Sequence, residues 1–134
     1  MRYLDIETVV AINKSMTRSF GGAFGIRDRG LLKSAIAQLR QTFCDIDLYP
    51  SVVDKAARLA YGITTYQPFI DGNKRTAAAC AAAFLEMNDY SFEPPKGELA
   101  ETFIALAAGE IDSNRFKEWI CFKHWMSAYA AARE

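Results

Sequence analysis

The segment from Ala77 to Leu85 constrains the fold more than any other part of the chain, because its nine residues include no charged or strongly polar side chain. A helix that is apolar on every side is stable in water only where other elements cover it. With a rise of about 1.5 Å per residue, this helix would form a buried rod of roughly 13 Å. The sequence therefore predicts a small all-α domain around one central buried helix.

Size and composition agree with that prediction. The chain has 134 residues, of which 51% are hydrophobic, so it is predicted to form a single domain over residues 1–134 with an adequate core. Its 16 basic residues balance its 16 acidic ones, which favours neither bulk nucleic-acid binding nor binding to a membrane surface. We therefore expect no direct nucleic-acid partner and no membrane partner.

Cysteine usage and the apolar runs indicate a compartment. The three cysteines, Cys44, Cys80 and Cys121, are an odd number without a CxxC spacing, which is typical of a reducing compartment without a disulfide framework. Cys80 lies inside the apolar helix and is expected to be a small buried hydrophobe. No signal-peptide core is recognised, and no apolar run reaches the ~18 residues of a membrane span. The protein is predicted to be cytoplasmic.

Capping residues and apolar spacing divide the chain into about six helices with almost no strand signal. Asp5 and Asp28 are the predicted N-caps of the first two helices, and the first helix is expected to end before Phe20. Ser51 and Asp54 resemble a capping box at the start of the third helix. The central helix is the fourth and is predicted to end near Asn88.

The carboxy-terminal third is predicted to add two more helices. One spans about Glu98 to Ala108, and the other begins at Asp112 or Ser113 and is mostly core. One short β pairing is expected, around Ile46–Leu48 or Tyr90–Phe92.

A polar loop comes directly before the central helix. The first turn of a helix presents unpaired backbone N–H groups and the positive end of the helix dipole, which together favour an anion. Gly72 lets a ligand approach the backbone closely, and Lys74 and Arg75 add two positive charges to the same turn. Cations at this end of a helix are unfavourable unless an anion binds. The start of the helix is therefore predicted to be a phosphate site.

Asp71 extends this prediction to metal-assisted chemistry. A single carboxylate can hold Mg²⁺ while phosphates supply the other oxygen ligands. The combination suits nucleotide or phosphoryl transfer, in which catalysis is mostly positioning and charge neutralisation. A simpler interpretation is that Asp71 only caps the helix and that Lys74 and Arg75 are solvated.

Four segments in order resemble one protein family. Gln67–Ala77, which reads QPFIDGNKRTA, resembles the signature of the Fic/Doc superfamily, H-x-F-x-D/E-G/A-N-K/G-R. The Lys after the Asn and the following Thr-Ala point to the death-on-curing (Doc) branch. Gly25–Ala35, Asp47–Pro50 and Ala107–Asp112 are also similar to segments of that branch. The resemblance implies the Fic-type helical fold with the loop and helix start as active site.

The resemblance also implies roles for single residues. Asp71 would hold Mg²⁺, and Phe69 would be the buried anchor that fixes the loop. Lys74 and Arg75 would take part in catalysis. The phosphates of ATP or another nucleoside triphosphate would bind at four successive residues: Gly72, Asn73, Lys74 and Arg75.

The Doc branch is associated with phosphoryl transfer to a hydroxyl of a translation elongation factor, and its toxins are held in check by a small Phd-like antitoxin. Fic enzymes transfer the nucleotidyl (AMP) moiety instead. The second arginine of their pattern would fall at Ala78, and its absence speaks against nucleotidyl transfer.

Gln67 occupies the position of the family's catalytic histidine. That histidine is the general base toward the target hydroxyl, and a glutamine amide cannot accept the proton. Gln67 is either a natural variant or a substitution that makes a toxic protein tolerable to an expression host. The one histidine of the chain, His124, is interpreted as a surface or packing residue.

Three hypotheses therefore stay open: a Doc-type kinase toxin weakened at Gln67, a Fic-type nucleotidyl transferase, and an inactive nucleotide- or partner-binding module. Arg27 and Asp28 are expected to pair locally and cap a helix rather than contact substrate. Phe43 and Tyr49 are expected to pack the linker against the core.

Overall fold

The computed structural model describes residues 1–90, 97–98, 101–102, 105, 109–112 and 114–121. Within them the chain is mostly helical, as predicted, with one small two-stranded sheet. The elements in chain order are α1 (Ile6–Phe20), α2 (Arg29–Ala37), a 3-10 turn (Gln38–Arg40), β1 (Thr42–Phe43), β2 (Ile46–Asp47), α3 (Val52–Tyr66) and α4 (Asn73–Met87).

Local sequence signals determine where the first helices start. Asp5 accepts a hydrogen bond from the backbone N–H of Thr8 at 2.8 Å, and Asp28 caps α2 in the same way. Ser51 and Asp54 form the predicted capping box at the start of α3. Each cap satisfies a donor that has no partner inside the helix. The first helix extends one residue further than predicted, because Phe20 is still helical.

Helix α4 packs mainly against α3, and also against α1. Its buried face carries Thr76, Ala77, Cys80, Ala81, Phe84 and Leu85. Burial raises the pKa of the Cys80 thiol to about 12, so this residue is the inert small hydrophobe that the sequence predicted. The prediction that other elements cover every side of this helix was wrong in part. Four alanines on its other flank are only half-buried: Ala78, Ala79, Ala82 and Ala83. Alanine leaves little apolar surface exposed there.

The linker after α2 contains the short β pairing. Phe43 pairs with Ile46 in an antiparallel register, so the expectation of a strand near Ile46 is confirmed, whereas its partner Thr42–Phe43 was not predicted. The prediction that Phe43 packs against the core was wrong, because 72% of this residue is exposed. Tyr49 is half-buried, and its hydroxyl accepts a hydrogen bond from Arg58 Nε at 2.7 Å.

The carboxy-terminal third is described in part. Residues 114–121 are helical, and Asp112 accepts a hydrogen bond from the backbone N–H of Arg115, as an N-cap does. Ser113, Phe92, His124 and the full bounds of the predicted fifth helix lie outside the described residues. In the described part of the chain, no helix is long and apolar enough to cross a membrane.

Candidate active site

The loop from Gln67 to Gly72 joins the end of α3 to the start of α4. Gln67 is in the left-handed conformation (φ 49°, ψ 58°), and its N–H bonds to the carbonyl oxygen of Ile63 at 3.2 Å. This conformation is unusual for a residue other than glycine, and it ends the helix. The Gln67 side chain is exposed, and within the described residues it makes no hydrogen bond. The amide group of Gln67 is therefore accessible to a substrate.

Arg27, from the glycine-containing segment before α2, clamps the beginning of this loop. Its guanidinium donates from Nη2 to the carbonyl of Tyr66 and from Nε to the carbonyl of Gln67, both at 2.7 Å. Its backbone N–H donates to the carbonyl of Pro68, also at 2.7 Å. The expected local pairing of Arg27 with Asp28 is wrong, since the arginine bonds to the loop while Asp28 caps α2.

The same segment pairs with the next two residues of the loop. Ile26 forms an isolated antiparallel bridge with Phe69, and the N–H of Ile70 bonds to the carbonyl of Gly25 at 3.0 Å. A Cβ at Gly25 would lie 2.7 Å from Ile70 Cδ1, so a larger residue here would force the exposed Ile70 side chain to shift. Two of the segments that carry the family resemblance therefore meet in space.

Asn73 fixes the loop from the other side. Its Oδ1 accepts from the N–H of Phe69 and its Nδ2 donates to the carbonyl of Phe69, each at 2.9 Å. Phe69 is fully buried, as the anchor role requires. Both ends of the Asn73 amide bond to the loop, so this side chain fixes loop geometry. Its predicted contact with phosphate stays a prediction.

Asp71 is not the cap of α4. The N-cap is Gly72, which has φ 76° and offers no side-chain cap. The carboxylate of Asp71 instead accepts from the N–H of Ala23 at 2.7 Å. A Cβ at Gly22 would lie 2.9 Å from Asp71 Cβ, so this glycine allows the loop before α2 to close on the carboxylate. The simple capping interpretation of Asp71 is therefore wrong.

A buried asparagine of α1 supports the same turn from below, and sequence reasoning missed it. Asn13 is fully buried, and its Nδ2 donates to the Asp71 carbonyl at 2.9 Å and to Thr76 Oγ1 at 3.0 Å. Its Oδ1 has no partner among the described residues. The signal in the sequence is that Val9, Asn13 and Thr17 share one helical face, so a polar side chain falls on a core stripe.

The start of α4 stays open and cationic. Its first turn contains no acidic residue, and both Lys74 and Arg75 are exposed. The Arg75 guanidinium lies 4.6 Å from the centre of the Phe20 ring, which holds this cation beside the helix start. Backbone donors, helix dipole and two cations fit a phosphate group.

The fit to a metal ion depends on that phosphate. Among the described residues, no group of three or more His, Cys, Asp or Glu side chains could hold a metal. Asp71 is an exposed carboxylate beside the helix start. One carboxylate with phosphate oxygens and water is a usual way for proteins to bind Mg²⁺.

Comparison with known sequences agrees with this architecture. The chain belongs to the Fic/DOC family, because the sequence model of that family matches residues 3–85, which include the whole loop and most of α4. A protein called Toxin Doc from Mycolicibacterium smegmatis is 42% identical over 86 residues, and the aligned part is 64% of each chain. A protein called Protein kinase doc from Escherichia phage P1 is 32% identical over 115 residues, which are 83% of this chain and 86% of that protein.

Proposed function

We propose that this protein is a Doc-type toxin, a transferase that moves the γ-phosphoryl group of ATP or another nucleoside triphosphate to a hydroxyl of a target protein. The observation that carries the proposal is the uncapped start of α4, with no acid and two exposed cations in or next to its first turn. Such a turn is unstable by itself and is stabilised by a bound anion. The name of the phage relative, Protein kinase doc, supports phosphoryl transfer as the reaction class.

Each residue then has a chemical task. The backbone N–H groups after Gly72, together with Lys74 and Arg75, bind the phosphates and neutralise the charge that grows during transfer. Asp71 holds Mg²⁺, which supplies further charge neutralisation when it is bound. Phe69 and Asn73 keep the loop in place, so that position 67 faces the incoming hydroxyl.

Gln67 weakens the reaction. Removal of the hydroxyl proton needs a group that titrates near neutral pH, and an amide has no such equilibrium. Loss of a general base costs about 10²–10⁴-fold in rate. The loop itself is held by Arg27 and Asn73 through contacts that do not involve the Gln67 side chain. The proposed defect is therefore one of proton transfer and leaves nucleotide binding intact.

The proposal includes partners. A toxin of this type is controlled by a small Phd-like antitoxin, and the name of the Mycolicibacterium relative, Toxin Doc, supports that context. The proposed target is a translation elongation factor, modified in the cytoplasm.

A second candidate function is an inactive module that binds nucleotide or a partner, and the observation that favours it is again Gln67. Nucleotidyl (AMP) transfer is disfavoured because Ala78 stands where its second arginine would be.

The substitution Gln67→His tests the proposal, with Gln67→Asn as the matched control that also fits a left-handed residue but supplies no base. Each chain is incubated with Mg–ATP and a nucleotide-free bacterial extract, with the label in the γ-phosphate or the α-phosphate. We expect γ-label on an extract protein with Gln67→His and far less with the other two chains. Label from the α-phosphate would favour nucleotidyl transfer. Binding of Mg–ATP without transfer by any of the chains would favour the inactive module.

A further inference from the structure

Arg27 makes a set of contacts that helix capping alone does not require. Its Nη2, Nε and backbone N–H donate to the carbonyls of three successive residues, Tyr66, Gln67 and Pro68, respectively. The carbonyls at the end of a helix have no partner inside the helix, and a cation at this end is favourable. Arg27 bonds to the carbonyl of Tyr66, the last residue of α3, and to that of Gln67, where the chain turns toward α4.

Position 67 depends on such a clamp for its direction. A left-handed conformation is not the preferred one for glutamine or histidine. Within the described residues the Gln67 side chain has no hydrogen bond of its own, so the backbone conformation sets the direction in which the side chain leaves the chain. The contacts that hold this backbone at its carbonyl side come from Arg27, whereas the Asn73 contacts begin at Phe69.

We infer that Arg27 is a positioning residue that holds position 67 toward the target hydroxyl, and this inference rests on the proposed function. The planar guanidinium donates to two carbonyls at once, which one ammonium group at the end of a flexible stem does not reproduce. Loss of the clamp lets the backbone at Gln67 relax away from the left-handed conformation. The histidine introduced by Gln67→His is then less often in position to accept the proton of the hydroxyl. The groups at the start of α4 that would bind phosphate stay in place.

The kinetic test uses the Gln67→His chain with γ-labelled Mg–ATP. The acceptor is the extract protein that the labelling experiment identifies, in its unlabelled form. Into this chain Arg27→Met, Arg27→Lys or the control Arg29→Met is introduced. Arg29 is an exposed arginine at the first position of α2, so its removal changes the charge by the same amount nearby. For Arg27→Met we expect kcat to fall by about 10- to 100-fold, the range for a displaced reacting group, with little change in KM for ATP. Arg27→Lys should recover only part of the loss, and Arg29→Met should change neither constant.

Equal constants for Arg27→Met and Arg29→Met would overturn the inference. Full recovery with Arg27→Lys would also overturn it, because charge alone would then suffice. A rise in KM that accounts for the whole effect would assign Arg27 to nucleotide binding instead.

Failure of the proposed function is seen separately. If Gln67→His transfers no label, that proposal falls, and the clamp is decided in the unaltered protein by amide hydrogen exchange. Arg27→Met should speed exchange at the amide of Gln67, which bonds to the carbonyl of Ile63 in the left-handed conformation, relative to Arg29→Met. The amides of Cys80 and Ala81 in α4 should stay as protected as before. Equal exchange at Gln67 in both variants would contradict the clamp itself.

Discussion

Two adjacent segments of the site differ in how their polar groups are used. In the entrance segment, residues 67–70, backbone groups of all four residues bond to α3, to the segment before α2 or to Asn73. In the helix mouth, residues 71–75, the N-cap is a glycine without a side-chain cap, and both cations are exposed. The backbone of the first segment is bonded within the protein, whereas the second keeps the N-cap and both cations available to a ligand.

A transferase has two requirements that these segments would meet separately. A reacting group must be held in a fixed direction, which the bonds of the entrance segment provide. A phosphate chain needs donors and positive charge that are not already bonded, which the helix mouth provides. Under the proposed function, Gln67 lacks the base that its position requires, and phosphate binding at the helix mouth is expected not to depend on it.

Removal of the Phe69 ring should have the largest effect on the entrance segment. Phe69 is fully buried, and loss of a buried phenylalanine ring costs about 3–5 kcal/mol. Phe69→Ala should lower the free energy of unfolding in urea by this amount. The control is Ile70→Ala, at a neighbour that is 53% exposed, and it should lower it far less. Equal losses would show that the entrance segment is not anchored at Phe69.

The double substitution Lys74→Ala with Arg75→Ala should weaken ligand binding at the helix mouth and leave stability almost unchanged, the opposite of Phe69→Ala. Hydrogen bonds to charged groups contribute about 1.5–3 kcal/mol, so calorimetry should show Mg–ATP binding weakened by at least about tenfold. Unfolding should change little, because both side chains are exposed and oppose the helix dipole. Unchanged affinity would remove the helix mouth as the phosphate site.

Asn13→Leu should affect the helix mouth to a smaller extent. This change removes the donor to the Asp71 carbonyl and to Thr76, and an unpaired buried polar group costs about 1–3 kcal/mol. Thr76→Val removes one of these contacts and is the matched control. Denaturation should show a larger loss for Asn13→Leu than for Thr76→Val. The reverse order would mean that the bond to Asp71 contributes little.

Removal of the ion pair between Lys117 and Asp54, which lies outside both segments, should have the smallest effect. Burial raises the pKa of Asp54, but hydrogen bonds from Lys117 and Ser51 more than offset this, so its pKa lies below the ordinary 3.8. The resulting stability is present above pH 3.8 and is lost as the pH falls through the lower folded-state pKa. Lys117→Met should lower stability at neutral pH by less than about 1 kcal/mol and reduce this acid-dependent loss. A change in Mg–ATP affinity would show unexpected coupling to the site.

Local rules predicted the parts of the fold whose causes lie within a few residues. The caps at Asp5, Asp28 and Ser51 are of this kind, since each bonds three residues ahead. The residues of the entrance segment and helix mouth were also predicted, because they are contiguous and carry a recognisable motif.

Contacts between distant parts of the chain could not be predicted in this way. Asn13 lies 58 residues from Asp71, and Arg27 lies 40 residues from Gln67. Sequence spacing says nothing about such pairs until the helices are packed. The exposure of Phe43 was missed for a related reason, because its large apolar side chain does not reveal whether the short sheet faces the core or the solvent.

Parallel calorimetric titrations of Mg–ATP into the unaltered protein and into Gln67→His show whether nucleotide binding depends on the side chain at position 67. We expect the same dissociation constant for both chains within about twofold, because the contacts of the helix mouth do not involve that side chain. Binding by Gln67→His alone, or by neither chain, would show that the helix mouth is not an independent nucleotide site.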